Sequence, residues 1–267
     1  MSYKKVVALF FTALLFVGIC LLILDIIGLI IPLRNDSVIS VDKLYFKSDI
    51  TITSEAQLYN EIIRNIDESD EQYVSKVNTA INRGIRHYWE KDELNKYNVS
   101  VPIYENWLLY LRYGDKAYEY CDYRKGIERA IGLCSQHAII VVGLLESKGF
   151  NAKIVGLEGH VVATVLVNGK WWILDPDFGV VIPYSIKEIE NNPIVISNFY
   201  LSRGYSVEIV GTLIKAYSIE GNTVVSVVDY IGMWECLFER ISYILIWVVP
   251  LLLILAFFIN KLLTNKY

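Results

Sequence analysis

Two long apolar runs, one at each end, constrain this chain more than any other feature. Residues 6–33 read VVALFFTALLFVGICLLILDIIGLIIPL, interrupted by a charge only at Asp25, and residues 241–260 read ISYILIWVVPLLLILAFFIN with no charge. Each is long enough to cross a hydrocarbon core as a helix, and a proline such as Pro250 is tolerated inside a membrane helix. The first run is too long for a signal-peptide core, and no A-x-A-like cleavage site follows it. Neither run has a polar face, which argues against a buried soluble hairpin. The expected organisation is a transmembrane helix over residues 1–34, a domain over 35–235, and a second transmembrane helix with a short tail over 236–267.

Lys4 and Lys5 precede the first span, and Lys261 and Lys266 follow the second. By the positive-inside rule both termini are cytoplasmic, and the intervening domain lies on the outer face of a two-pass membrane protein. A net charge of −4 gives no basic footprint, so no nucleic-acid partner is expected; the membrane contact is lipid, through the two spans. The four cysteines, Cys20, Cys121, Cys134 and Cys236, contain no C-x-x-C pair, so their spacing suggests neither zinc nor a redox motif. On the outer face a Cys121–Cys134 disulfide is an open alternative that would silence Cys134. Asn35 and Asn98 sit in N-x-S acceptor patterns, which matter only in a glycosylating host.

Between the spans, helical spacing comes first. One helix is expected over residues 54–69. A second, capped by Ser69 or Asp70, runs to near Trp89 with Val74, Val77, Ile81 and Ile85 on its inner face. A charged connection follows at 90–98. The aromatic-rich stretch 101–123 fits no single pattern. Residues 135–148 read as a buried helix stopped by Gly149. The period then changes to two. Strands are expected at 152–157, 160–167 and 170–174, with Asn168-Gly169 as a two-residue hairpin turn. A short helix at 185–191 and two more strands, at 207–214 and 223–228, complete the pattern.

The stretch GLCSQHA, beginning at Gly132, places Cys134 at a helix start, where the helix end favours a thiolate. Gly132 is read as giving the backbone freedom to turn into that helix. His160 opens one hairpin strand and Asp175 closes the other. Counting outward from the turn, Val167 faces Lys170, Leu166 faces Trp171, Val162 faces Asp175 and His160 faces Asp177. Either carboxylate can therefore reach the imidazole, fix its tautomer and stabilise its charged form. For Asp177 a role in the Asp175-Pro176-Asp177 turn competes. His137 is a rival base one helical turn beyond Cys134, with no evident carboxylate partner. His87 is read as a surface or packing residue.

The segments Gly132-Leu133-Cys134, Gly159-His160-Val161 and Trp172-Ile173-Leu174-Asp175-Pro176 together resemble the three core motifs of the transglutaminase-like superfamily, over roughly residues 54–184. His137 stands where that family commonly has an aromatic residue, and Val161 where it often has tryptophan. The resemblance implies an α+β, papain-like core, with a helical N-terminal part and an antiparallel sheet, set between the two transmembrane helices. It implies Cys134 as nucleophile, His160 as general base and acid, and Asp175 as the orienting residue. The oxyanion donors would be the backbone N–H of Cys134 and Tyr123. The expected activity is that of a membrane-anchored cysteine hydrolase (a cysteine protease or amidase) or acyltransferase, acting through a thioester on a protein, peptide or peptidoglycan-like amide. No cofactor is expected, and no calcium-loop motif suggests a metal. The alternative is a catalytically silent binding module in an envelope assembly.

Overall fold

The computed structural model describes residues 3–34, 50–88 and 99–264. The charged connection 90–98 and the acceptor residues Asn35 and Asn98 lie outside the described residues. In chain order the elements begin with α1 (Tyr3–Ile30), α2 (Glu55–Glu61), α3 (Asp70–Gly84) and the short strand β1 (Arg86–His87). Next come α4 (Trp107–Tyr113), α5 (Tyr123–Arg129), β2 (Ile131–Gly132) and α6 (Cys134–Ser147). The antiparallel hairpins follow as β3 (Ala152–Leu157), β4 (His160–Val167), β5 (Lys170–Asp175) and β6 (Val180–Ile182). The chain ends in α7 (Ile186–Asn191), α8 (Ser197–Ser202), α9 (Val207–Tyr217), β7 (Thr223–Val225), α10 (Val227–Ile231) and α11 (Met233–Thr264). The fold is α+β.

The chain divides into two units. One comprises residues 1–33, 98–118 and 237–267. It holds α1 and most of α11, two candidate membrane-spanning helices by length and composition. Polar side chains join its pieces. Asn106 Nδ2 donates to Ser242 Oγ at 2.8 Å, Tyr118 Oη to Glu239 Oε2 at 2.8 Å and Tyr243 Oη to Glu105 Oε1 at 2.9 Å. Buried polar groups of this kind cost stability unless they are partnered, and here they partner one another.

The second unit comprises residues 34–97 and 119–236. Its five-stranded sheet has the order β6-β5-β4-β3-β7, with antiparallel neighbours throughout. Period-two alternation sends successive side chains to opposite faces. Ile154, Ala163, Val165 and Leu174 join the core built with α3 and α6. Val155, Val162 and Ile173 join a second core built with α7, α8 and α9. Both faces are covered, which is why β4 reads as an almost unbroken apolar run. The hairpin register is the one counted from the turn, with Val167 opposite Lys170 and Leu166 opposite Trp171. Asn168 and Gly169 both take positive φ, 48° and 77°, as a twisted two-residue hairpin turn requires.

Four expectations are corrected. The helix expected over 54–69 ends at Glu61, because Ile63 and Ile66 are exposed and find no face to bury. The helix expected to reach Trp89 ends at Gly84. The chain then leaves it to pair β1 in parallel with β2, and Tyr88 N donates to Gly132 O at 3.2 Å. Residues 207–214 are not a strand. Ser206 caps α9, and Val210, Leu213, Ala216 and Tyr217 bury one stripe at helical spacing. The strand expected over 223–228 stops at Val225, since Ser226 caps α10.

The disulfide alternative is corrected as well. Cys121 pairs with Cys236, with Cα atoms 5.4 Å apart, and Cys134 is a free thiol. When the unreduced chain is denatured and treated with maleimide, mass spectrometry should find label on two thiols, Cys20 and Cys134, and on all four only after reduction. Four labels without prior reduction would contradict the pairing.

Candidate active site

The loop before α6 is fixed by Gln136 and Arg129, both fully buried. Gln136 Oε1 accepts from Tyr120 N at 2.7 Å and from Arg129 Nη2 at 3.2 Å, while its Nε2 donates to Tyr120 O at 3.1 Å. Arg129 Nε donates to Ile131 O at 3.0 Å. Gly132 serves this packing. A Cβ there would stand 2.5 Å from Gln136 Cβ, so glycine is required for space rather than for an unusual φ. The loop delivers Cys134 as the first residue of a 14-residue helix whose N-cap, Leu133, has no polar side chain to cap the first amides.

Across from it, His160 Nε2 lies 2.9 Å from Asp175 Oδ2. Asp175 is fully buried and takes two further donors, Tyr200 Oη at 2.7 Å and Phe178 N at 3.3 Å. Asp175, rather than Asp177, is thus the partner of His160. The Cys134 sulfur, a His160 ring nitrogen and an Asp177 carboxylate oxygen all lie within 4.8 Å of one another. With Nε2 engaged by Asp175, the Nδ1 side of the ring remains for the sulfur. Burial opposes the charged imidazole, but the charge and hydrogen bond of Asp175, helped by Cys134, outweigh it and hold His160 well above the usual histidine range. The Phe178 ring meets His160 edge-on, with centroids 5.5 Å apart. The three residues singled out from the sequence, Cys134, His160 and Asp175, are therefore brought together.

The arrangement of the other groups around the thiol was not legible in the sequence. Asp177 is buried and lies between two imidazoles. His87 Nδ1 stands 3.0 Å and His137 Nδ1 3.3 Å from its Oδ1. Burial of Asp177 is outweighed by His87 and His137, and its carboxyl is held far below the usual range. His87 is accordingly a partner of a buried carboxylate, not a surface residue, and His137 has a carboxylate neighbour after all. His137 Nδ1 is also 2.8 Å from Leu133 O, and its Nε2 is 3.0 Å from Ile85 O. A ring tied down in this way is not a free general base. Ser135 Oγ donates to Glu119, whose carboxyl is raised mainly by burial. Burial pushes the phenols of Tyr88 and Tyr230 up to about 12. Tyr123 is not the second oxyanion donor. Its ring packs against Gly143, nine residues along α6 from Cys134 and so about 13 Å away at a rise of about 1.5 Å per residue.

Tyr200 tests the hold on Asp175. A hydrogen bond to a charged group contributes about 1.5–3 kcal/mol, so Tyr200→Phe should destabilise the folded chain by about that amount in denaturant unfolding. A change within about 0.5 kcal/mol, the range of a neutral surface substitution, would mean that Asp175 does not depend on the phenol.

No family model, curated protein or solved structure matches the chain, so the site is read on its own geometry.

Proposed function

We propose that the chain is a membrane-anchored cysteine enzyme of the transglutaminase-like type, acting on amide bonds through a Cys134–His160–Asp175 triad. The observation that carries the reading is the 2.9 Å His160–Asp175 bond, which leaves the imidazole's other side to a free thiol at a helix start. In this reading the Cys134 thiolate attacks the carbonyl carbon of an amide, and the carbonyl electrons move onto oxygen. The backbone N–H of Cys134 donates to that oxyanion. As the C–N bond breaks, His160 passes its proton to the leaving amine, and a thioester remains on Cys134. His160 then takes a proton from water or from an amine as that nucleophile bonds to the thioester carbon; the C–S bond breaks, Cys134 leaves as thiolate beside the protonated His160, and the product is a carboxylic acid or a new amide. Asp175 orients the ring and stabilises its positive form throughout.

The substrate class that fits is a protein, peptide or peptidoglycan-like amide. The outer-face placement of the domain is supported by the lysine distribution and by the Cys121–Cys236 disulfide, because disulfides persist in oxidising compartments.

The test is thiol chemistry on the full-length chain in detergent. Cys134 should react with iodoacetamide faster at neutral pH than a free cysteine does. His160→Ala should slow that reaction by about 10²-fold or more, the contribution of a positioned base. An acyl adduct on Cys134, trapped from an envelope extract and located by mass spectrometry, would identify the substrate. A thiol no faster than free cysteine, and indifferent to His160→Ala, would overturn the enzyme reading in favour of a silent binding module.

A further inference from the structure

We propose that His87, His137 and Asp177 form a binding site for one divalent transition metal of the zinc class, with its fourth position turned toward the Cys134 sulfur. The absence of a C-x-x-C pair gave no hint of it, because the donors come from three separate places: β1, the first turn of α6, and the turn after β5. One donor atom from each residue lies within 4.8 Å of the other two. The Asp177 Oδ1 distances are 3.0 Å to His87 Nδ1 and 3.3 Å to His137 Nδ1. Ligand atoms bonded to zinc at about 2.0–2.1 Å in a tetrahedron stand about 3.3 Å apart, so the two edges that meet at Asp177 are near the length such an ion needs.

Two further observations point to a cation. Asp177 is 3% exposed, and its Oδ2 has no hydrogen-bond partner among the described residues, an orphaned acceptor that a cation held by both carboxylate oxygens would satisfy. His137 Nε2 lies 3.0 Å from the Ile85 carbonyl, the outer-shell bond that commonly fixes a metal-binding imidazole and presents its other nitrogen to the ion. His137 Nδ1 also approaches the Leu133 carbonyl at 2.8 Å, so without metal it donates there, and binding displaces that proton.

The fourth position is assigned to the Cys134 sulfur because Asp177 is shared between two groupings: Sγ lies within 4.8 Å of one of its oxygens, in a grouping with His160. Thiolate is a preferred ligand for zinc. The consequence, a nucleophile masked while metal is bound, rests on the catalytic reading of Cys134; the site itself does not.

The experiment uses the full-length chain in detergent, stripped with a chelator and titrated with Co²⁺ and then Zn²⁺ alone. One equivalent of cobalt should produce tetrahedral d–d absorption with a thiolate-to-metal charge-transfer band, and one equivalent of zinc should displace it. Asp177→Asn and His87→Gln, each checked for native circular dichroism, should weaken binding by more than about 100-fold, the upper end of what losing an outer-shell partner costs. Cys134→Ser should keep the stoichiometry and lose the charge-transfer band. No saturable binding, or binding that neither Asp177→Asn nor His87→Gln weakens, would overturn the site; a spectrum without charge transfer in the unmutated chain would remove Cys134 from it. Because the readout needs no turnover, cobalt binding with an iodoacetamide-inert Cys134 would retain the metal site and end the catalytic reading.

Discussion

One buried charge organises the open end of the hairpin. Asp175 is fully enclosed, and an ionised carboxylate without water costs several kcal/mol unless donors replace the solvent. Three donors do so from three elements: the His160 ring on β4, the Tyr200 hydroxyl on α8 and the Phe178 amide in the following turn. This need accounts for the second layer of helices. α8 brings Tyr200 over the sheet, and α9 adds Tyr217, whose hydroxyl lies 3.3 Å from that of Tyr200. Burial and the Asp175 charge hold both phenols well above their usual range, so they remain donors. The same demand fixes which side of His160 is left for sulfur.

Asp177, two residues on, meets the same cost in another way. The turn between the two carboxylates is pinned through its carbonyls by asparagines of α3. Asn78 Nδ2 donates to Asp175 O at 3.4 Å and to Val180 O at 3.1 Å, and Asn82 Nδ2 donates to Pro176 O at 2.9 Å and Asp177 O at 2.7 Å. With the backbone satisfied by amides, both carboxylates are free to face imidazoles. The Asp-Pro-Asp segment therefore works as a fork, with one prong on His160 and the other between His87 and His137.

What was legible in the sequence follows from how local each signal is. The Asn168-Gly169 turn fixes the register, and the register places His160 and Asp175 on one face, so the centre of the site could be counted out from residues adjacent in the chain. The choice between Asp175 and Asp177 was not local: it depends on Tyr200 and on imidazoles from elsewhere. His87 was misread because a two-residue parallel pairing between β1 and β2 leaves no periodic trace, yet that pairing carries His87 beside the Cys134 loop. The run at 207–214 was misread because β-branched residues favour strands only weakly against tertiary context, and Ser206 with the stripe from Val210 to Tyr217 settles the helix. Gly132 was correctly noticed for the wrong reason, since the constraint on it is the volume of Gln136, visible only once α6 is packed.

The fork also ties the two chemistries of the site together. In the metal-free arrangement the Asp177 carboxylate is hydrogen-bonded to His87 at 3.0 Å, and His137 Nδ1, bonded to the Leu133 carbonyl, stands 3.3 Å away. Those separations also suit two ligands on one small cation. In the proposed metal-bound state His137 would give up its bond to the Leu133 carbonyl, while the turn would remain pinned by Asn78 and Asn82. Asp175 takes no part in the exchange, so the orientation of His160 is preserved in either state. What changes is the company of the sulfur. It faces an imidazole and a hydrogen-bonded carboxylate in the structure, and would face a Lewis acid with affinity for thiolate in the proposed metal-bound state. If both proposals hold, the metal sensitivity of Cys134 would follow from Asp177 being shared between the two groupings, on a turn that the α3 asparagines hold.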